Sequence, residues 1–141
     1  MLVRLMYCSR AAAGIDQEEL SSLLRQSRPA NAQAGITGML CYSQGLFIQV
    51  IEGGRSAVNA LYNRVISDPR HADVTLLVFE EISERRFAGW TMGQVNMARI
   101  NTALLLKYSE KPTLDPYAVS GRVTLALFDE LVATASVMGD R

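Results

Sequence analysis

The stretch Leu46-Phe47-Ile48-Gln49-Val50-Ile51-Glu52-Gly53-Gly54 constrains the fold more than any other. A run of β-branched and aromatic residues after the turn-forming Ser43-Gln44-Gly45 reads as a strand, and apolar side chains on both of its faces call for a central place in a sheet. Strand alternation puts Phe47, Gln49 and Ile51 on one face and Leu46, Ile48 and Val50 on the other, so a carboxamide points where hydrocarbon is expected. Buried there, the amide must satisfy two donor hydrogens and an acceptor oxygen or cost about 1–3 kcal/mol. Either neighbouring protein groups or a bound polar ligand must meet it.

The elements around this strand follow in a definite order. Leu2 to Cys8 is a short strand with Val3, Leu5 and Tyr7 on one face and Arg4, Met6 and Cys8 on the other. A helix over about 16–28 has Asp16 as N-cap, Glu19 three residues on, Ile15 and Leu20 as a hydrophobic staple, and Pro29 as its stop. A small connector, Ala30 to Ala34, leads into a second strand, Gly35 to Tyr42, whose entry glycines permit a tight turn or a close backbone approach. Beyond Gly54, Val58, Leu61, Tyr62, Val65 and Ile66 mark an amphipathic helix closed by Ser67-Asp68-Pro69. Val74 to Glu81 and Trp90 to Val95 read as a fourth and a fifth strand, joined by a polar connection in which Arg85 and Arg86 read as solvated charges.

The order βαββαβ plus one strand predicts an α+β, ferredoxin-like sheet with two helices on one face and the first and third strands adjacent in the middle. That adjacency brings Tyr7 and Gln49 into range of each other on the helix-covered face. From about residue 98 the pattern is helical: a short segment around Leu104 to Leu106, then Asp115-Pro116 as N-cap and first residue of a helix running to roughly Val137. Its apolar face, with Val123, Leu127, Phe128, Leu131 and Val132, is the natural cover for the bare side of the sheet. We expect residues 1–97 to form the principal domain and residues 98–141 a helical extension packed on the sheet.

Charge and composition narrow the function. Fourteen basic residues balance 14 acidic ones, which gives no electrostatic case for nucleic acid or an anionic membrane surface. Cys8 and Cys41 lie in apolar runs without metal-ligand spacing, so we read reduced core thiols and no metal site. No apolar run reaches the 18 or so residues of a membrane span, and residues 1–8 lack a signal-peptide core, so a cytoplasmic location is expected.

Five phrases, in order, carry a family resemblance: Leu5-Met6-Tyr7-Cys8-Ser9; Asn31 ahead of Gly35-Ile36-Thr37-Gly38; Phe47 to Gly53; Asp68-Pro69-Arg70-His71; and Arg85 to Gly93. Over about residues 2–95 the chain resembles the BLUF family of blue-light sensors that bind FAD. The resemblance implies a photosensor that turns over no substrate. By it, Tyr7 and Gln49 are the photoactive pair, Asn31, Arg70 and His71 join them in holding the flavin ring, and Trp90 and Met92 on the fifth strand relay the signal. It also implies FAD as the flavin, with FMN or riboflavin left open because nothing in the sequence reads the adenine. Ala30 departs from the pattern, since the family often has a polar or basic residue there, which implies a weaker hold on flavin.

The tail resembles no cyclase or phosphodiesterase, so the output is expected to pass to a separate downstream protein, with homo-oligomers through the C-terminal helices or the sheet face as a further expectation. The chemistry of the residues fits on its own terms: two carboxamides offer paired donors and acceptors to a neutral ring edge without net charge. The rival readings are a flavin-dependent oxidoreductase, for which only His71, Glu52 and Asp68 offer acid–base chemistry, and a ligand-free interaction module with Gln49 satisfied internally.

Overall fold

Asp16 starts the first helix as its sequence dictates: its carboxylate accepts the Glu19 backbone N–H at 2.8 Å, and helix α1 runs over Gln17–Gln33 after strand β1, Leu2–Ala11. The structure, a computed structural model, describes residues 1–134 and 137–138. Pro29 lies inside α1 and does not stop it. The final turn is closed by the N–H groups of Ala34, Gly35 and Ile36 donating to the carbonyls of Ala30, Ala32 and Asn31, and after the C-cap Ala34 the chain turns away at Gly35, where φ is +71°. These bonds and the burial of Asn31 override the local preference of Pro29. Asn31 therefore sits on a helix and not in a connector.

Strands β2 (Thr37–Ser43) and β3 (Leu46–Gly54) form a hairpin around Gln44 and Gly45, both at positive φ, and helix α2 (Arg55–Ser67) leads to β4 (His71–Ile82). Strand β5 (Thr91–Val95) runs parallel to β2, and with the two-residue strand β6 (Val137–Met138) the sheet order is β4-β1-β3-β2-β5-β6. This is the ferredoxin-like order with two strands added at one edge. β1 and β3 pair antiparallel in the middle, with Tyr7 directly opposite Gln49.

Side chains alternate as the pattern requires. Val3, Leu5, Tyr7, Phe47 and Ile51 pack with Leu20 and Leu24 of α1 and Val58 and Val65 of α2 on one face; Met6, Cys8, Ile48 and Val50 point to the other. Gly38 carries the close approach that its type suggests: at φ +155°, an added Cβ would stand 1.9 Å from the Val50 carbonyl oxygen. Gly38→Ala is expected to lower the unfolding free energy by about 3 kcal/mol, the upper end of overpacking costs, and a denaturant midpoint equal to wild type would refute it.

The second face is covered by the tail, where Leu125, Leu127, Phe128 and Leu131 of helix α4 (Gly121–Ala133) pack on Met6, Cys41, Ile48 and Val50. Short helix α3 (Thr102–Tyr108) adds Leu105. α4 begins later than Asp115. Ser120 is its N-cap, accepting from Val123 N–H at 3.2 Å, and Asp115 caps only a single turn by accepting from Tyr117 N–H at 3.1 Å. That turn is tied to the sheet by the Tyr117 hydroxyl, which donates to the Asp73 carbonyl at 2.8 Å, and by the Arg10 guanidinium over the Tyr117 ring. The chain must leave this anchor before a helix can start. Val137, expected at the helix end, instead pairs with Val95 in a short strand, β6 (Val137–Met138); residues 135–136 of the expected helix lie outside the described residues.

Candidate functional site

On the helix-covered face a cavity of about 530 Å³ opens between α1 and α2, within the usual range for a small-molecule site. β1 and β3 supply its floor through Tyr7, Phe47 and Gln49; Leu23, Leu24, Ser27 and Asn31 of α1 and Leu61, Arg64 and Val65 of α2 form its walls; Asp68, Pro69, Arg70 and His71 close one end. Tyr7, Asn31, Gln49, Arg70 and His71 are thus brought to one cavity from four separate stretches of chain.

The polar floor is built from Tyr7 and Gln49. The Tyr7 hydroxyl, on a side chain only 1% exposed, donates to Gln49 Oε1 at 2.5 Å, and Gln49 Nε2 lies 3.2 Å from the Met92 sulfur. Burial pushes the Tyr7 phenol above its ordinary pKa, with the neighbouring Tyr62 and Asp68 adding to the shift, so it stays protonated and serves as a donor. A thioether is a weak acceptor, so Gln49 keeps donor capacity to spare where it borders the cavity. Asn31 is buried beside the same cavity, and its carboxamide has no hydrogen-bond partner among the described residues. Two under-used carboxamides and a phenol around one space suit a neutral ring carrying alternating donors and acceptors, which is the edge a flavin presents.

His71 and Arg70 differ in what they can offer. The His71 ring lies 4.8 Å from the Phe47 ring, and its Nδ1 is 2.7 Å from Ser9 Oγ. Burial moves its pKa below the ordinary value, more than the nearby Asp68 raises it, with Arg70 adding to the decrease. A base whose folded pKa is depressed costs stability as pH falls: below its unfolded value of about 6.5 the unfolded chain takes up a proton that the folded chain refuses. The thermal midpoint is expected to decline between pH 7.5 and 5.5, and because His71 is the single histidine, His71→Gln should flatten that slope. An unchanged slope in the variant would assign it elsewhere. Arg70 is exposed at the rim and tied to Asp68, with Nη2 at 2.6 Å, so it can meet only the outer edge of a ligand.

The two fifth-strand residues part company. Met92 is fully buried on the cavity side against Gln49, whereas Trp90, just before β5, packs in the tail-side core with Phe87 and does not line the cavity. Met92 has φ +100°, an uncommon backbone for a side chain of this kind, and the ladder between β2 and β5 slips at this point.

Arg85 and Arg86 are not simply solvated. Arg85 donates to Thr37 Oγ1 at 3.0 Å and Arg86 pairs with Asp129 of α4 at 3.0 Å. Glu52 organises this end of the sheet: fully buried, it pairs with Arg4 at 2.8 Å and accepts the backbone N–H groups of Arg86 and Phe87 at 3.0 and 2.7 Å. The only sequence signal for this was an acidic residue at an inward position of a central strand. Among the described residues no group of His, Cys, Asp or Glu could hold a metal ion, and no helix is long and apolar enough to cross a membrane.

Fold and cavity together define a ferredoxin-like domain with a small-molecule-sized cavity whose floor is an uncharged phenol–carboxamide pair. The model of the family "sensors of blue-light using FAD" (BLUF) matches residues 2–93. The photoactivated adenylate cyclase subunit beta of Euglena longa is 40% identical over 92 residues, 64% of this chain and 11% of that protein. The chain therefore spans about a tenth of the length of such curated relatives. Among solved structures, BlrB, a BLUF protein in its dark state, has a TM-score of 0.78 at 34% identity and covers 95% of this chain and 96% of its own. BlsA in its photo-activated state has a TM-score of 0.81 at 26% identity, covering 100% and 99%. The chain belongs to the BLUF family, and the domain is a flavin-binding blue-light sensor.

Proposed function

We propose that this chain binds FAD in the cavity over Tyr7 and Gln49 and that the hydrogen bond between these two residues is the element light rearranges. The observation that carries the reading is the 2.5 Å Tyr7 to Gln49 contact at the floor of a cavity whose other buried amide, Asn31, is unsatisfied by protein. Asn31 holds the ring through its polar edge, His71 packs at its flank, and Arg70 contacts it from the rim. Bound flavin supplies absorption of blue light and an excited electron acceptor. Tyr7 is placed to give up an electron and to pass its hydroxyl proton along the bond to Gln49. Gln49 can then reorder its amide, because its two ends have opposite hydrogen-bonding character and exchanging them rewires Tyr7 and Met92 without moving mass.

Met92 and then Trp90 carry the change through β5 toward the covering helices. The domain does so without catalysing a reaction: the cavity has no paired carboxylates, and Asp68 is held by Arg70. Residues 1–97 are the sensor and the C-terminal part its output surface, working in the cytoplasm on a separate downstream protein. A bias of a few kcal/mol between two arrangements is enough to change partner binding. FAD over FMN rests on the family's description alone.

The test is an absorption spectrum of the purified, flavin-loaded protein before and after blue illumination. A flavin spectrum that moves slightly to longer wavelength without bleaching and returns in the dark supports the reading. A flavin that binds without any light-induced shift would defeat it, and so would failure of flavin to bind on reconstitution.

A further inference from the structure

We infer that Arg28 is a positioning residue for the photoreaction: its guanidinium grips the Met92 carbonyl and holds that residue in the backbone conformation that puts its sulfur on Gln49. Arg28 Nε and Nη2 both donate to Met92 O, at 3.2 and 2.9 Å. Met92 is the residue at φ +100°, where a side chain crowds its own backbone at a cost of roughly 1–3 kcal/mol unless the surroundings hold it. It is also where the β2 and β5 registers slip, between Gly38 and Met39, so the ladder is least able to fix it. Two N–H groups from one cation supply the hold from outside the sheet.

The rest of the seam between α1 and β5 is weak. Two turns before Arg28, Ser21 Oγ reaches Gln94 Oε1 at 3.4 Å, and Gln94, two residues beyond Met92, is buried with its Nε2 lacking any hydrogen-bond partner among the described residues. A buried unsatisfied amide disfavours this arrangement, so the polar attachment of α1 to β5 depends mainly on Arg28. Without it, Met92 can return to ordinary negative φ, and that rotation carries the thioether away from Gln49 Nε2.

The inference rests on the reading of Tyr7 and Gln49 as the light-responsive pair. The experiment compares wild type, Arg28→Met, which keeps the length of the side chain, and Arg28→Lys, which restores one donor. All are flavin-loaded and labelled with ¹³C at the methionine methyl groups, with the Met92 resonance assigned from its absence in Met92→Leu. Arg28→Met is expected to bind flavin and fold, to shift the dark Met92 methyl resonance, and to change the dark-recovery rate roughly tenfold, the effect of losing a charge-assisted hydrogen bond. Arg28→Lys should fall between the two. A Met92 resonance and a recovery rate in Arg28→Met that both match wild type would overturn the inference. If wild type itself shows no light-induced shift, it is the reading of the site that fails, and the methyl resonance still decides whether Arg28 positions Met92.

Discussion

Tyr7→Phe is expected to leave flavin bound and to abolish the red-shifted light state. The ring of Tyr7 packs near Tyr62 and His71 within the helix-side core, and phenylalanine preserves that volume. What disappears is the hydroxyl that donates to Gln49 Oε1. The oxygen of Gln49 is then left without this donor, and among the described residues no other phenol hydrogen-bonds to it. A redox-active, proton-bearing partner for an excited ring is removed without a change of shape, so flavin stoichiometry should stay near wild type while the light-minus-dark difference spectrum becomes flat. A variant that still shifts and recovers would show that the photoreaction does not run through Tyr7. A variant that cannot hold flavin would instead make the hydroxyl a binding contact.

Glu52→Ala is expected to be the most damaging single change to stability away from the cavity. Glu52 is fully buried and engages three donors at once: Arg4 and the N–H groups of Arg86 and Phe87. Breaking a buried ion pair by removing one member costs about 3–5 kcal/mol, because the remaining charge is left uncompensated. Arg4 keeps a second partner in Glu80, at 2.5 Å and partly exposed, so the lower end of that range applies. The two orphaned backbone donors add to the loss. A fall in the thermal midpoint of roughly 10 °C follows, measurable by circular dichroism, and a fall under 2 °C would contradict the role assigned to Glu52. The same change frees the loop ahead of β5, so the emission of the single tryptophan, Trp90, should move toward that of exposed indole.

Much of the site was legible because strand periodicity is local. The alternation in β1 and β3 put Tyr7 and Gln49 on inward rows, and the element order made those strands neighbours, which is how two residues 42 positions apart come to share a hydrogen bond. Helix starts with a side-chain cap were legible at Asp16 and misplaced at Asp115, and the difference lies in the surroundings. Asp16 has only its own helix to organise, whereas the turn at Asp115 is tied to β1 and β4 through Tyr117. Pro29 likewise reads as a stop because its ring disfavours helix locally, yet packing of the next turn outweighs it.

By itself, then, the sequence determined which elements form as far as β5, which faces they bury and which polar side chains are out of place among apolar ones, because propensity and periodicity act over a few residues. Tertiary structure alone decided the rest: that Asn31 reaches the cavity from a helix, that Met92 and Trp90 lie on opposite faces of the sheet, that Glu52 fastens the loop ahead of β5, and that Arg28 holds the Met92 carbonyl. Each of these depends on groups far apart in the chain meeting at hydrogen-bonding distance, and such bonds form only where the whole sheet and its covering helices have fixed the positions of both partners.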